Sequence, residues 1–287
     1  MKNNYDPRPI GIFDSGVGGL TTARCIYKLL PAENIIYVGD TAHIPYGSKS
    51  PERVYSLSKY IVNFLLTKNV KMVVVACNTA SSVALDKLQE DFPQLPIIGV
   101  ILPAVKLALQ TTRNKRIGVI GTEGTIKSNT YKKFLLSFDK GVSVFQRPCP
   151  LLVPIVEEGL INHKITYEIL KYYLTSLVNK NIDTLILGCT HYPLLKKAIQ
   201  KVVSRRITLI DSAKAVSLEV KEYLNSHHSE NKKSSQGKHL YYVTDAPEKF
   251  KQLARLFLGK GEKIGKVEKI CLDDYILTPI GKVKDKY

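Results

Sequence analysis

Tryptophan is missing altogether, methionine occurs twice, and cysteine occurs five times in 287 residues. The cysteines, at positions 25, 77, 149, 189 and 271, are odd in number and widely scattered. Such spacing is no disulfide framework, so reduced thiols in a cytoplasm are the expectation. No run approaches the roughly 20 apolar residues of a membrane span, so no membrane partner is expected. The opening segment Met1–Pro9 lacks an apolar core, and Ile10–Phe13 is too short to serve as the core of a signal peptide. No two His or Cys residues stand at helical spacing with a third nearby, so no metal is expected. Acidic residues are also scarce, 25 against 42 Lys and Arg, for a net charge of +17. An excess that basic raises nucleic acid or an anionic surface as partner. It is spread along the chain, however, with +8 over residues 1–195 and +9 over 196–287. No RNP sequence or zinc-finger spacing accompanies it. The expectation is a lysine-rich solvated surface.

What is present is a composition 44% hydrophobic and 23% charged, that of an ordinary globular protein. The length suggests two domains. Short apolar runs mark strands at Pro9–Phe13, Ile35–Val38, Met72–Ala76, Ile97–Gly99, Arg116–Ile120, Val142–Phe145, Thr184–Leu187 and Thr208–Ile210. Amphipathic stretches between them predict helices over Leu20–Leu30, Pro51–Thr67, Ala80–Asp91, Thr125–Phe138, Thr166–Asn179 and Leu194–Val203. Strand–helix alternation predicts an α/β fold with mainly parallel sheets flanked by helices. The polar stretch Ser226–Lys238 reads as a mobile surface loop. Beyond it, His239–Asp245 predicts a strand or loop, Pro247–Phe257 a helix and Val267–Leu272 a last strand.

The chain also echoes itself. Pro9–Ser15 resembles Arg116–Thr122 at an offset of 107, and Val73–Thr79 resembles Leu185–His191 at an offset of 112. This predicts two similar domains, 1–102 plus 212–287 and 103–211. In parallel sheets, ligands bind beyond the carboxyl ends of the strands, and both echoes end there.

The second echo places Cys77 and Cys189 at strand ends, each with a helix following. A lone cysteine there is most often a small buried hydrophobe; two in matched settings, one beside His191, point to working thiols. Helix-terminal N–H groups predict a lowered thiol pKa. The turn Asp14–Leu20 is glycine-rich but lacks the Gly-Lys-Ser/Thr of a phosphate loop. It suits a carboxylate ligand held by Ser15 and turn amides, with Asp14 facing a cationic group. In the polar loop Gly39–Ser48, Pro45, Tyr46 and Gly47 are placed to present backbone groups to a ligand. Glu157 and Glu158 read on their own as a solvated helix end, and neither His43 nor His163 has an evident partner. Two thiols facing one cleft suit racemisation, in which one group removes a proton from a carbon and another returns one on the opposite face. No lysine context suggests pyridoxal phosphate, so no cofactor is expected and the carbanion needs preorganised electrostatics in a dry site.

Five stretches carry a closer likeness: Pro9–Leu20, Gly39–Gly47, Val75–Ser81, Gly118–Ser128 and Leu187–Leu195, with Tyr242–Phe250 a weaker sixth. Through them the chain resembles the glutamate racemases of the cofactor-independent aspartate/glutamate racemase family, which serve bacterial cell-wall (peptidoglycan) synthesis. The resemblance implies that Cys77 deprotonates D-glutamate and Cys189 L-glutamate. Asp14 would assist Cys77, and His191 with Glu157 would assist Cys189. Substrate contacts would come from Asp14, Ser15, Tyr46, Gly47, Asn78, Thr79, Thr190 and His191, with Thr122 and Thr125 near the carboxylate. It implies two similar α/β domains with the active site in the cleft between them, a monomer or homodimer, and DNA gyrase as a partner known in some members. Others carry an N-terminal extension and respond to a muropeptide precursor; only nine residues precede Ile10 here, which speaks against that control. Aspartate racemisation, related two-cysteine chemistry and a non-catalytic basic binding protein stand as the alternatives.

Overall fold

In the computed structural model, which describes residues 5–232, 235–259 and 264–276, the apolar runs become strands of two parallel sheets. The first sheet contains β1 (Ile10–Asp14), β2 (Ile35–Gly39), β3 (Met72–Val75) and β4 (Ile97–Gly99). The second contains β5 (Arg116–Gly121), β6 (Ser143–Pro148), β7 (Thr184–Gly188) and β8 (Thr208–Asp211). Two later strands, β9 (His239–Val243) and β10 (Val267–Lys269), return to the first sheet's edge, giving the order β10-β9-β2-β1-β3-β4. The second sheet runs β6-β5-β7-β8. Ile12 registers with Tyr37 on one side and Val74 on the other, and Val119 with Gln146 and Ile186. β1, β3 and β7 are buried along their whole length, as expected of strands covered by helices on both faces.

The internal echo has a topological counterpart. The order β2-β1-β3-β4 repeats as β6-β5-β7-β8, so β1 matches β5 and β3 matches β7. In each sheet the chain steps from the first strand to one side and then crosses to the other. That leaves a crevice at the carboxyl ends of β1/β3 and of β5/β7, where ligands bind in such folds.

Helices α1 (Leu20–Leu29) and α2 (Pro51–Thr67) follow the predicted spans. α2 starts sharply because Ser50 Oγ accepts from Arg53 N at 3.2 Å and proline fills the first turn. The predicted helix over 80–91 is two, α3 (Asn78–Val83) and α4 (Leu85–Asp91), broken at Ala84. The one over 125–138 is also two, α6 (Glu123–Lys127) and α7 (Thr130–Phe138), because Asn129 takes a left-handed conformation at φ 56°. α5 (Ile101–Thr111) is missing from the sequence reading: too apolar to show one polar face, it packs against α7 and α11 (Ser212–Ser226). The short α8 (Leu152–Glu157) was also missed, whereas α9 (Lys164–Val178) matches expectation. A 3-10 turn over Tyr192–Leu195 precedes α10 (Lys196–Val203), and α12 (Pro247–Leu258) follows β9. The last strand stops at Lys269 rather than Leu272, since the chain turns into a 3-10 segment at Leu272–Tyr275. No helix among the described residues is long and apolar enough to cross a membrane.

At the opposite, amino-terminal end of the first sheet, Lys71 and Glu33 form an ion pair at 2.6 Å with both side chains 2% exposed. Lys71 Nζ also donates to the carbonyls of Asp6 (2.9 Å) and Ser229 (2.7 Å). Asn231 N donates to Glu33 Oε1 at 2.7 Å, and Gly237 N to Pro31 O at 2.9 Å. The stretch 226–238, read as a mobile loop, is therefore tied down on both sides of residues 233 and 234, which lie outside the described residues.

Candidate active site

Both thiols reach the same cavity, about 260 Å3, between the carboxyl ends of the two sheets. That volume suits a small molecule better than a nucleotide. Cys77 caps α3, and Cys189 follows β7 directly. Ser15, Tyr46, Gly47, Asn78, Thr79, Thr122, Glu157, Thr190 and His191 also line the cavity. Asp14 and Thr125 do not. They are fully buried behind the wall, Asp14 beneath the glycine-rich turn and Thr125 behind Thr122, with its Oγ1 3.0 Å from Thr122 Oγ1. A larger cavity of about 460 Å3 opens at the other end of the first sheet. Its Arg8 and Lys71 are committed to Asp6 and Glu33, whereas both thiols line the smaller one.

The glycine-rich turn allows the halves to interlock. A Cβ on Gly18 would fall 2.3 Å from Thr190 Oγ1 and 2.6 Å from the His191 ring, and one on Gly19 would fall 2.5 Å from Asp14 Cβ. Thr21 Oγ1 donates to the Thr190 carbonyl at 3.0 Å, and Thr190 Oγ1 to Asp14 Oδ1 at 3.5 Å. On the far side, Thr79 Oγ1 lies 2.9 Å from Thr122 Oγ1. Tyr46 contributes its position rather than its phenol: the hydroxyl donates to buried Asp40 Oδ2 at 2.6 Å. Asp40 Oδ1 also receives Thr244 Oγ1 and pairs with His43 Nδ1, both at 2.8 Å. His43 thus has a partner, and so does His163, whose Nδ1 accepts from Ile165 N at 3.3 Å to cap α9.

Around Cys77, Ala80 N donates to Sγ at 3.5 Å and Ser15 Oγ lies 3.7 Å away. The helix terminus was expected to lower this thiol; the structure reverses that. Burial first, and then the Asp14 carboxylate, push the thiol up to about 12, outweighing the Ala80 and Ser15 hydrogen bonds. Cys77 is therefore a thiol at neutral pH. Burial also raises Asp14, against the opposing pull of His191 and of the Gly16, Gly19 and Ser15 amides.

Around Cys189 the chemistry differs. His191 Nδ1 lies 3.9 Å from Cys189 Sγ, and Nε2 lies 2.9 Å from Glu157 Oε1. Burial works against the charged ring, but its hydrogen bonds to Cys189 and Glu157, together with the charges of Cys189 and Asp14, push it up to about 10. Phe257 packs edge-on against the ring at 5.1 Å. Of the paired glutamates, Glu157 ends α8 and reaches His191, while Glu158 sits one residue further round as the cap. The sequence reading missed Asp40, Thr21, Phe257 and Tyr131, which donates to Asn78 Oδ1 at 2.7 Å. Only Asp40, inside a loop already singled out, had a usable signal.

Fold and site define a class: α/β proteins that present a pair of thiols, each with its own acid/base neighbour, to one small-molecule cleft between matched sheets. The Asp/Glu/Hydantoin racemase family profile matches residues 17–218, and the chain belongs to that family. It is 48% identical over 265 residues to a glutamate racemase of Persephonella marina, covering 91% of this chain and 98% of that one. It is 45% identical over 266 residues to one of Geobacter metallireducens, covering 93% and 97%. The crystal structure of the Francisella tularensis glutamate racemase in complex with D-glutamate superposes with a TM-score of 0.87 at 38% identity, covering 94% of this chain and 100% of that one.

Proposed function

We propose that this chain interconverts L- and D-glutamate by two-base proton transfer, supplying D-glutamate for peptidoglycan. The observation that carries it is the placement of Cys77 and Cys189 on one small cavity from two matched strand ends. One thiolate breaks the Cα–H bond, and the electron pair left on the α-carbon takes a proton from the thiol on the opposite face. The thiolate and thiol exchange roles, and solvent protons reset them. With Cys77 held as a thiol, the resting enzyme is set to protonate from the Cys77 side and to remove the proton of L-glutamate at Cys189. His191 between Cys189 and Glu157 balances charge there. In the reverse direction Asp14, raised by burial and acting electrostatically on Cys77, takes the Cys77 proton. Ser15, Asn78, Thr79, Thr122, Thr190 and the Tyr46–Gly47 backbone surround the substrate, and Thr125 supports Thr122. Two units, 1–102 with 212–287 and 103–211, close over it and exclude water.

Two measurements check this reading. In D2O, glutamate should gain α-deuterium and racemise while aspartate does neither; exchange with aspartate alone would overturn the substrate assignment. Glu157→Gln removes one of the groups holding the His191 proton. The alkaline limb of kcat/KM for L-glutamate should then move to lower pH, below that set by a ring titrating at about 10. An unmoved profile would remove Glu157 from the relay.

A further inference from the structure

Tyr131 joins the two halves of the site. It is the second residue of α7, beside the second sheet, and is fully buried. Its hydroxyl donates at 2.7 Å to Oδ1 of Asn78, the first residue of α3 beside the first sheet. Its ring lies against Gly188, where an added Cβ would sit 3.1 Å from Tyr131 Cε2, one residue before Cys189. One side chain therefore touches the segment next to each thiol.

Burial, reinforced by the neighbouring Cys189, keeps the phenol protonated, so the hydroxyl is a donor. A primary amide has one acceptor end and one donor end. With Oδ1 held by Tyr131, the Nδ2 end remains. It is buried and has no hydrogen-bond partner among the described residues, on a side chain that lines the cavity beside Cys77. A buried donor without an acceptor is costly, and a carboxylate oxygen is the acceptor that relieves it best.

We infer that Tyr131 is a positioning residue that locks the Asn78 amide with its donor end toward a carboxylate oxygen of the bound amino acid. The inference rests on the glutamate reading above. Without the hydroxyl, the amide is free to turn its acceptor end to the carboxylate, which weakens binding of both enantiomers and leaves the proton transfer between the thiols intact.

Tyr131→Phe tests this, since it keeps the ring and its packing on Gly188. KM should rise about five- to fiftyfold for both enantiomers, with kcat changing less than about threefold. In an Asn78→Ala background the same change should add nothing, because the hydroxyl acts only through that amide. Asn78→Asp keeps an acceptor for Tyr131 but loses the donor, and should raise KM at least as far. An unchanged KM in Tyr131→Phe, a full effect persisting beside Asn78→Ala, or loss of the fold in Tyr131→Phe would each overturn the inference. If the unaltered enzyme fails to racemise glutamate, the substrate reading itself fails and the inference goes with it; a racemising enzyme indifferent to Tyr131→Phe refutes the inference alone.

Discussion

Serine in place of Cys77 or Cys189 is expected to cut racemisation in both directions by about 10²–10⁴-fold, the worth of a positioned acid/base group. A hydroxyl fits the space of either sulfur but is a far weaker acid. Each variant then has a competent group on one face only. Racemisation needs both faces, so either change stops it whichever enantiomer is supplied. Elimination from an analogue with a β-leaving group needs a single base and should survive in one enantiomeric series per variant. The two variants should therefore fail alike with glutamate and differ by enantiomer with the analogue. Full racemase activity in either serine variant would rule out the two-thiol mechanism.

The largest stability effect is expected far from the cleft. Lys71→Ala leaves Glu33 buried beside the amides and carbonyls that tie down the chain at 229–231, with its counter-charge gone. Removing one partner of a buried pair costs about 3–5 kcal/mol. For a protein of this size, with an unfolding entropy of about 0.6 kcal/mol/K, that lowers Tm by roughly 5–8 °C. Burial already raises the Glu33 carboxyl, with Lys71 and Asn231 pulling it down. Without Lys71 it rises further, so the folded form favours the protonated acid; the defect should be largest at alkaline pH and shrink as pH falls. Replacing both partners, Lys71→Met with Glu33→Leu, should recover only part of the loss: no charge is stranded, but Asn231 N and the carbonyls of Asp6 and Ser229 lose their partners. Racemase activity per folded molecule should stay near normal in both variants. Calorimetry across pH checks the pattern; an unchanged Tm in Lys71→Ala would show that the pair contributes nothing.

The parts of this protein set by local chemistry were readable in its sequence. Short, valine-rich apolar runs such as Met72–Val75 read as strands buried on both faces, and their alternation with amphipathic stretches gives parallel sheets. The repeat of a strand ending in cysteine pointed to Cys77 and Cys189 because two matched settings outweigh the ordinary reading of one buried thiol. Features that depend on contacts across the cleft were not readable. Asp14–Thr190 and Tyr131–Asn78 join residues 176 and 53 positions apart. A tyrosine in a helical pattern reads as core, and Tyr131 is core as well as support. The helix break at Ala84 rests on a single backbone conformation that its residue type does not announce, whereas Asn129 is of a type that takes the left-handed region readily. The thiol of Cys77 was misjudged for a related reason. The helix terminus beside it is visible in the sequence, whereas full burial and the adjoining Asp14 carboxylate, which prevail, appear only once the chain is folded.

Following deuterium into each enantiomer during the first few per cent of conversion in D2O addresses the two-base claim most directly. Starting from either enantiomer, the opposite thiol, equilibrated with solvent, delivers the new hydrogen. The product should therefore carry α-deuterium from its first appearance, while recovered substrate retains its original hydrogen. Equal deuterium in substrate and product at early times would place both transfers on one exchanging base and contradict a mechanism built on Cys77 and Cys189.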